Sequence, residues 1–123
     1  MTSLVLLGAS GSIGSQNLDI EKKCSNDFTI LGISIGKRTR KLSKILKDFP
    51  SIKYVCLLKK NSYYEEKYPD IKFFYGDKGL LELIDNSGAE MVVNALVGFV
   101  GLYPSIHALK KDKKLALANK EAL

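Results

Sequence analysis

Apolar runs and amphipathic stretches alternate along this chain from one end to the other, and they predict strand and helix in turn. Leu4, Val5, Leu6 and Leu7 are consecutive apolar residues, the pattern of a strand covered on both faces of a parallel sheet. That run stops at Gly8, glycines recur at Gly11 and Gly14, and a helix is expected from Ile13 to about Cys24, ending in Ser25-Asn26-Asp27. Phe28 to Ile35, FTILGISI, reads as the second strand, which completes a βαβ crossover. Leu42, Ile45, Leu46 and Phe49 share one face of a helix predicted over Arg40 to Phe49, and Pro50 stops it.

Lys53 to Leu58 is the expected third strand, and a half-exposed short helix is expected within the polar segment Lys59 to Asp70. Ile71 to Tyr75 reads as a fourth strand near a sheet edge. The helix Gly76 to Asn86 follows, with Leu80, Leu81, Leu83 and Ile84 as its buried side and Gly88 after its end. Glu90 to Ala95 is the fifth strand, and it is expected beside the first, because the loop Leu96 to Gly101 must close a ligand crevice where strand order reverses. Leu102 to Lys111 is helical with Leu102, Ser105, Ile106 and Leu109 on one face, and Lys114 to Ala118 is the sixth strand. The expected fold class is therefore α/β: a Rossmann-like, doubly wound, mostly parallel sheet of about six strands with helices on both faces.

The first turn carries the candidate chemistry. Gly8 ends a strand, Gly11 leaves room for a ligand against the backbone, and Gly14 lets the next helix pack closely on the sheet. The N–H groups of Ser12, Ile13 and Gly14 then face an incoming pyrophosphate at the positive end of that helix. The spacing GxxGxxG is not the GxGxxG of the usual fingerprint, and an ordinary βα turn remains the alternative. No Gly-Lys-Ser/Thr follows, which argues against a P-loop. At the end of the second strand, where an NAD site places an acid on the adenine ribose, the chain has Gly36-Lys37-Arg38-Thr39-Arg40. Cations there hold a 2′-phosphate, so the expected cofactor is NADP(H), with Lys37 and Arg38 as contacts. Arg40 and Lys41 read as a solvated helix start.

Composition narrows this further. With 19 Lys and Arg against 13 Asp and Glu, the charge of +6 suits an anionic ligand, and 123 residues suffice for one core. Cys24 and Cys56 are isolated and His107 is the sole histidine, so no zinc constellation can form; Cys56 reads as core and His107 as a solvated helical residue. Tyr63, Tyr64 and Tyr68 lie among charges of both signs, unlike a nucleic-acid surface. The uncharged stretch Met91 to Leu109 is broken by Asn94, Gly98, Gly101, Pro104, Ser105 and His107, so it is no membrane span. Residues Thr2 to Leu18 lack the basic and unbroken apolar regions of an export signal, and a cytoplasmic location is expected. Asn119 is a good N-cap with only four residues after it, so the chain is expected to be the front part of a longer protein.

Three segments, GASGSIGSQNLD from Gly8, ALVGFVGL from Ala95 and LANKEAL from Leu117, together resemble the N-terminal NADPH-binding domain of the 1-deoxy-D-xylulose 5-phosphate reductoisomerase family, over essentially all of residues 1–123. The resemblance implies an NADPH-dependent enzyme of the non-mevalonate isoprenoid route, with Mg²⁺ or Mn²⁺ holding the sugar-phosphate substrate during a skeletal rearrangement before hydride transfer. It implies that Ser10, Gly11, Ser12 and Ile13 form the pyrophosphate turn. Gly36, Lys37 and Arg38 match the 2′-phosphate side, where the family often has Asn in place of Arg38. Asn119 and Glu121 match residues at the nicotinamide half, and Lys120 one that contacts substrate. The metal-binding carboxylates of the family fall beyond Leu123, so this domain alone is expected to bind cofactor without turnover, and the complete enzyme to be a homodimer. Another NADP-dependent reductase and a free-standing nucleotide-sensing module are the alternatives.

Overall fold

In the computed structural model, which describes residues 2–23, 26–37, 39–96 and 102–117, strands and helices alternate in the expected order. They are β1 (Thr2–Leu7), α1 (Ser12–Lys23), β2 (Phe28–Ile35), α2 (Leu42–Asp48), β3 (Tyr54–Leu57), α3 (Ser62–Lys67), β4 (Lys72–Tyr75), α4 (Gly76–Ser87), β5 (Met91–Asn94), α5 (Leu102–Lys110) and β6 (Lys114–Leu117). The helix expected over Arg40 to Phe49 is shorter, because Thr39–Lys41 forms a separate single 3₁₀ turn ahead of α2. The polar segment does contain its short helix, α3, capped by the Asn61 side chain, which accepts from Tyr64 N at 3.2 Å.

The six strands lie in the order β4-β3-β2-β1-β5-β6, and every neighbouring pair is parallel. The order reverses between β1 and β5, so the crevice outside their carboxyl ends is the topological switch point at which doubly wound sheets bind ligands. One extra residue on β2 interrupts the register with β1, where Leu4 faces Ile30 and Val5 faces Gly32.

Both faces of the sheet are covered, which explains why the strands read as nearly continuous apolar runs. On one face Leu4, Leu6, Ile33 and Val55 pack with Leu18 of α1 and with Leu42 and Ile45 of α2. On the other, Val5, Leu7 and Val92 pack with Leu80, Leu83 and Ile84 of α4 and Ala108 of α5. Each fully buried Leu, Ile or Val contributes about 1.5–3 kcal/mol by leaving water, so this two-sided core anchors the sheet that carries the glycine turn.

Helix α5 departs from expectation. Ile106 and Leu109 are exposed, at 40 % and 59 %, while Pro104, Ser105 and Ala108 face inward. Apolar residues surround this helix, so periodicity does not select a face; packing of small side chains against the sheet does. His107 is not simply solvated, since its Nε2 lies 2.8 Å from Asp85 Oδ1 and joins α5 to α4. On α4 itself Leu80, Leu83 and Ile84 are buried as expected and Leu81 only half-buried. Among the described residues no helix is long and apolar enough to cross a membrane.

Candidate functional site

The glycine turn sits at the carboxyl end of β1, beside the switch point. Gly8 takes φ of 81°, and a Cβ on it would come within 3.0 Å of the Ala95 carbonyl oxygen after β5. Both the conformation and the approach exclude a side chain. Gly14, two residues into α1, lies so close to the turn that a Cβ would collide with the Gly8 carbonyl oxygen and stand 2.8 Å from Ala9 Cα. The roles expected for Gly8 and Gly14 therefore rest on close backbone packing. Gly11 is different: it is exposed, and a Cβ there would meet only Gly8 O, at 3.6 Å, so no protein atom crowds it.

Ser12 and Ile13 open α1, whose first turn carries no acidic residue. The Ser15 amide is bonded back to Gly11 O at 2.8 Å, which closes the first helical turn. Amides at the start of a helix have no partner within it and point out along its axis, and the macrodipole adds partial positive charge. A helix start of this kind, with no acid in its first turn, is chemically suited to an anion.

Ser10 is buried and tied from two directions. Its hydroxyl accepts from Gly36 N at 3.3 Å, and its carbonyl accepts from the Lys41 ammonium at 3.0 Å. Gly36 and the exposed Lys37 follow β2 directly, so the predicted pyrophosphate turn and the predicted ribose-phosphate segment are brought together by a direct bond. Of the other residues expected here, Arg38, Asn119, Lys120 and Glu121 lie outside the described residues, as do Cys24 and residues 97–101 of the crevice loop.

Several positioning residues were not singled out from sequence. Ser34, near the end of β2, accepts from Gly8 N at 2.7 Å through its hydroxyl and from Ala9 N at 2.9 Å through its carbonyl. Asn94, fully buried at the end of β5, donates to Ser105 Oγ at 2.7 Å and accepts from Leu96 N at 3.0 Å. The signal available for both was a polar residue at the end of an otherwise apolar strand, where burial demands a hydrogen-bond partner. Lys41, expected in solvent, reaches back to the turn, and the Tyr64 hydroxyl donates to Thr39 O at 3.1 Å, anchoring the segment after β2 to α3.

A small cleft of about 60 Å³ opens between the carboxyl ends of β2 and β3 and the start of α4, lined by Ser34, Gly36, Leu58, Asp77 and Leu96 among others. Cys56 at its floor is buried as expected, and burial, reinforced by the Glu82 and Asp77 carboxylates, pushes its thiol up to about 12. It stays protonated at neutral pH and is not a nucleophile. A larger groove of about 400 Å³ lies at the opposite end of the strands, lined by Pro50, Lys53 and Ile71, away from the turn.

A parallel sheet with a glycine turn at its switch point is shared by many nucleotide-binding proteins, and comparison with known proteins narrows the choice. The family model described as 1-deoxy-D-xylulose 5-phosphate reductoisomerase matches residues 4–123. The protein of that name from Macrococcus caseolyticus is 36% identical over 124 residues, covering 100% of this chain and 32% of the relative; the one from Bacillus cereus is 39% identical, covering 100% and 33%. The chain thus spans about a third of the length of the curated relatives it matches. A crystal structure of DOX-P reductoisomerase in complex with NADPH, fosmidomycin and magnesium superposes with a TM-score of 0.90 at 32% identity, covering 100% of this chain and 31% of that one. The enzyme from Zymomonas mobilis in complex with NADPH gives 0.82 at 26% identity, covering 99% and 33%. Sequence model, relatives and architecture agree over the whole described sheet, and the chain belongs to the 1-deoxy-D-xylulose 5-phosphate reductoisomerase family.

Proposed function

We propose that residues 1–123 are the NADPH-binding domain of an enzyme that converts 1-deoxy-D-xylulose 5-phosphate to 2-C-methyl-D-erythritol 4-phosphate. The observation that carries this reading is the Ser10–Gly36 bond, which brings the glycine turn at the end of β1 against the Lys37 segment at the end of β2. A dinucleotide with an additional ribose phosphate needs these two features side by side. The backbone of Ser10, Gly11, Ser12 and Ile13 would receive the pyrophosphate at the start of α1, where no acid opposes it and Gly11 leaves open space. Gly36, where a Cβ would meet no protein atom, leaves open space for the ribose, and Lys37 and Arg38 would hold the 2′-phosphate by charge-assisted hydrogen bonds.

Asn119 and Glu121 are assigned to the nicotinamide half and Lys120 to the sugar-phosphate substrate, on the family motif ANKE. Bound NADPH supplies the hydride. Mg²⁺ or Mn²⁺ belongs to the complete enzyme in this reading; among the described residues no group of three acids, histidines or cysteines is placed to hold a metal. The domain alone is then a cofactor binder without turnover. NADPH oxidation by the purified 123-residue chain with substrate and Mn²⁺ would overturn that point. The complete enzyme is proposed to act as a cytoplasmic homodimer, with no role for nucleic acid or a membrane.

Calorimetric titration with NADPH and NADH tests the cofactor site. NADPH is expected to bind more tightly, with the preference lost in the Lys37→Ala, Arg38→Ala double variant. Equal affinity for the two nucleotides in the unsubstituted protein would refute the 2′-phosphate reading and leave the fold intact.

A further inference from the structure

We propose that Lys41 is a specificity-determining residue of this site, a preset cation for the extra ribose phosphate of the cofactor. The inference rests on reading the site as one for NADPH. Three observations lead to it. The Lys41 ammonium sits 3.0 Å from the carbonyl oxygen of Ser10, inside the glycine turn, although a lysine at a helix start ordinarily extends into water. The hydroxyl of that same Ser10 is bonded to Gly36 N, so ammonium, turn and the backbone just before Lys37 form one cluster on the ribose side of the turn. The segment that carries Lys41 is held independently, by the 3₁₀ turn Thr39–Lys41 and by Tyr64 Oη donating to Thr39 O at 3.1 Å.

Charge makes this arrangement selective. An ammonium has three N–H donors, and only the one to Ser10 is engaged among the described residues. No carboxylate within the described residues forms an ion pair with Lys41. Its ammonium is therefore positioned by a neutral carbonyl, with Asp19 and Asp48 lining the same groove but making no ion pair with it, whereas the exposed Lys37 must be ordered when the ligand arrives. The start of α1 faces the pyrophosphate common to both nicotinamide dinucleotides; Lys41, carried by the 3₁₀ turn that follows the Lys37 segment and lining a groove with Ser15 of α1, lies against the turn beside the segment where NADPH and NADH differ by a dianionic group. Carbonyl and phosphate together satisfy the ammonium with oxygen acceptors on two sides.

Two variants of the full-length enzyme separate charge from tethering. Lys41→Gln keeps a donor for the Ser10 carbonyl and removes the charge; Lys41→Arg keeps both. With NADPH and NADH titrated calorimetrically, Lys41→Gln is expected to weaken NADPH about tenfold, the scale of one charge-assisted hydrogen bond, and NADH less than about twofold. Lys41→Arg should retain most of the preference, and added salt should erase the difference between unsubstituted protein and Lys41→Gln. Equal weakening of both nucleotides would overturn the proposal by showing that Lys41 only positions the turn, and unchanged NADPH affinity would overturn it outright. Absence of an NADPH preference in the unsubstituted enzyme would instead bring down the reading of the site, and that result is visible without any variant. Melting temperatures of both variants within about 2 °C of the unsubstituted protein establish that affinity changes are not unfolding.

Discussion

Replacing Gly14 by alanine sets two opposing terms against each other, and the geometry decides the winner. Alanine is favoured over glycine inside a helix by about 1 kcal/mol, so propensity alone predicts stabilisation. Against this, the new Cβ would collide with Gly8 O and lie 2.8 Å from Gly8 C and Ala9 Cα, where carbon atoms ordinarily rest about 3.5–4.0 Å apart. The obstructing atoms are backbone and cannot rotate away. The turn cannot retreat either: Ser34 holds Gly8 N at 2.7 Å and Ala9 N at 2.9 Å, and Ala95 stands behind Gly8. Helix α1 must therefore shift outward by about 1 Å, at the upper end of the roughly 1–3 kcal/mol that overpacking costs. The net expectation is a loss of about 1–2 kcal/mol, or a melting temperature lower by about 4–8 °C. Gly11→Ala is the internal comparison, since its Cβ meets only Gly8 O at an ordinary 3.6 Å. It should melt within about 2 °C of the unsubstituted protein and yet weaken NADPH, because the methyl group fills space reserved for the ligand. Thermal unfolding of the three proteins with and without NADPH reads both effects. A Gly14→Ala protein that melts at or above the unsubstituted one would refute the packing argument, and a Gly11→Ala protein with unchanged affinity would remove the ligand from that space.

Ser34→Ala leaves the Gly8 amide without its acceptor and should lower stability by about 1–2 kcal/mol in urea titration; a change below about 0.5 kcal/mol would show that water replaces the hydroxyl. Two groups bind their protons more tightly in the folded protein. Burial and the nearby Glu82 and Asp77 raise Cys56 from 9.0 to about 12, and burial with the hydrogen bond to Glu65 at 2.6 Å raises Tyr75 from 10.0 to about 12. The unfolded chain loses these protons first, so their contribution is intact below about pH 9 and declines as pH rises from about 9 towards 12. Urea midpoints measured from pH 8 to pH 11 should fall with pH, and less steeply in Cys56→Ala; an identical slope in that variant would remove the thiol from the account.

The order of elements and the position of the glycine turn were legible in the residues themselves, for a local reason. Periodicity, apolar runs and glycine spacing act over a few positions, so LVLL followed by Gly8, Gly11 and Gly14 announces strand, turn and helix without reference to anything distant. Two-sided burial even implied parallel pairing, and the closing loop implied that β5 lies beside β1. The absence of an acid after FTILGISI is equally local. Tertiary structure alone decided how the site is braced. Ser34 meets Gly8 and Ser10 meets Gly36 across 26 residues, Tyr64 meets Thr39 across 25, and Lys41 meets Ser10 across 31. Nothing in the neighbourhood of Lys41 distinguishes a charge in water from one laid on a distant carbonyl, because the choice depends on which helix the sheet carries alongside. The same holds for α5, where several faces are apolar enough and only contact with the sheet and α4 selects Pro104, Ser105 and Ala108 over Ile106 and Leu109. Local sequence sets the elements because backbone preferences are short-ranged; the partners of buried polar groups come from chain closure, which joins residues that no local pattern connects.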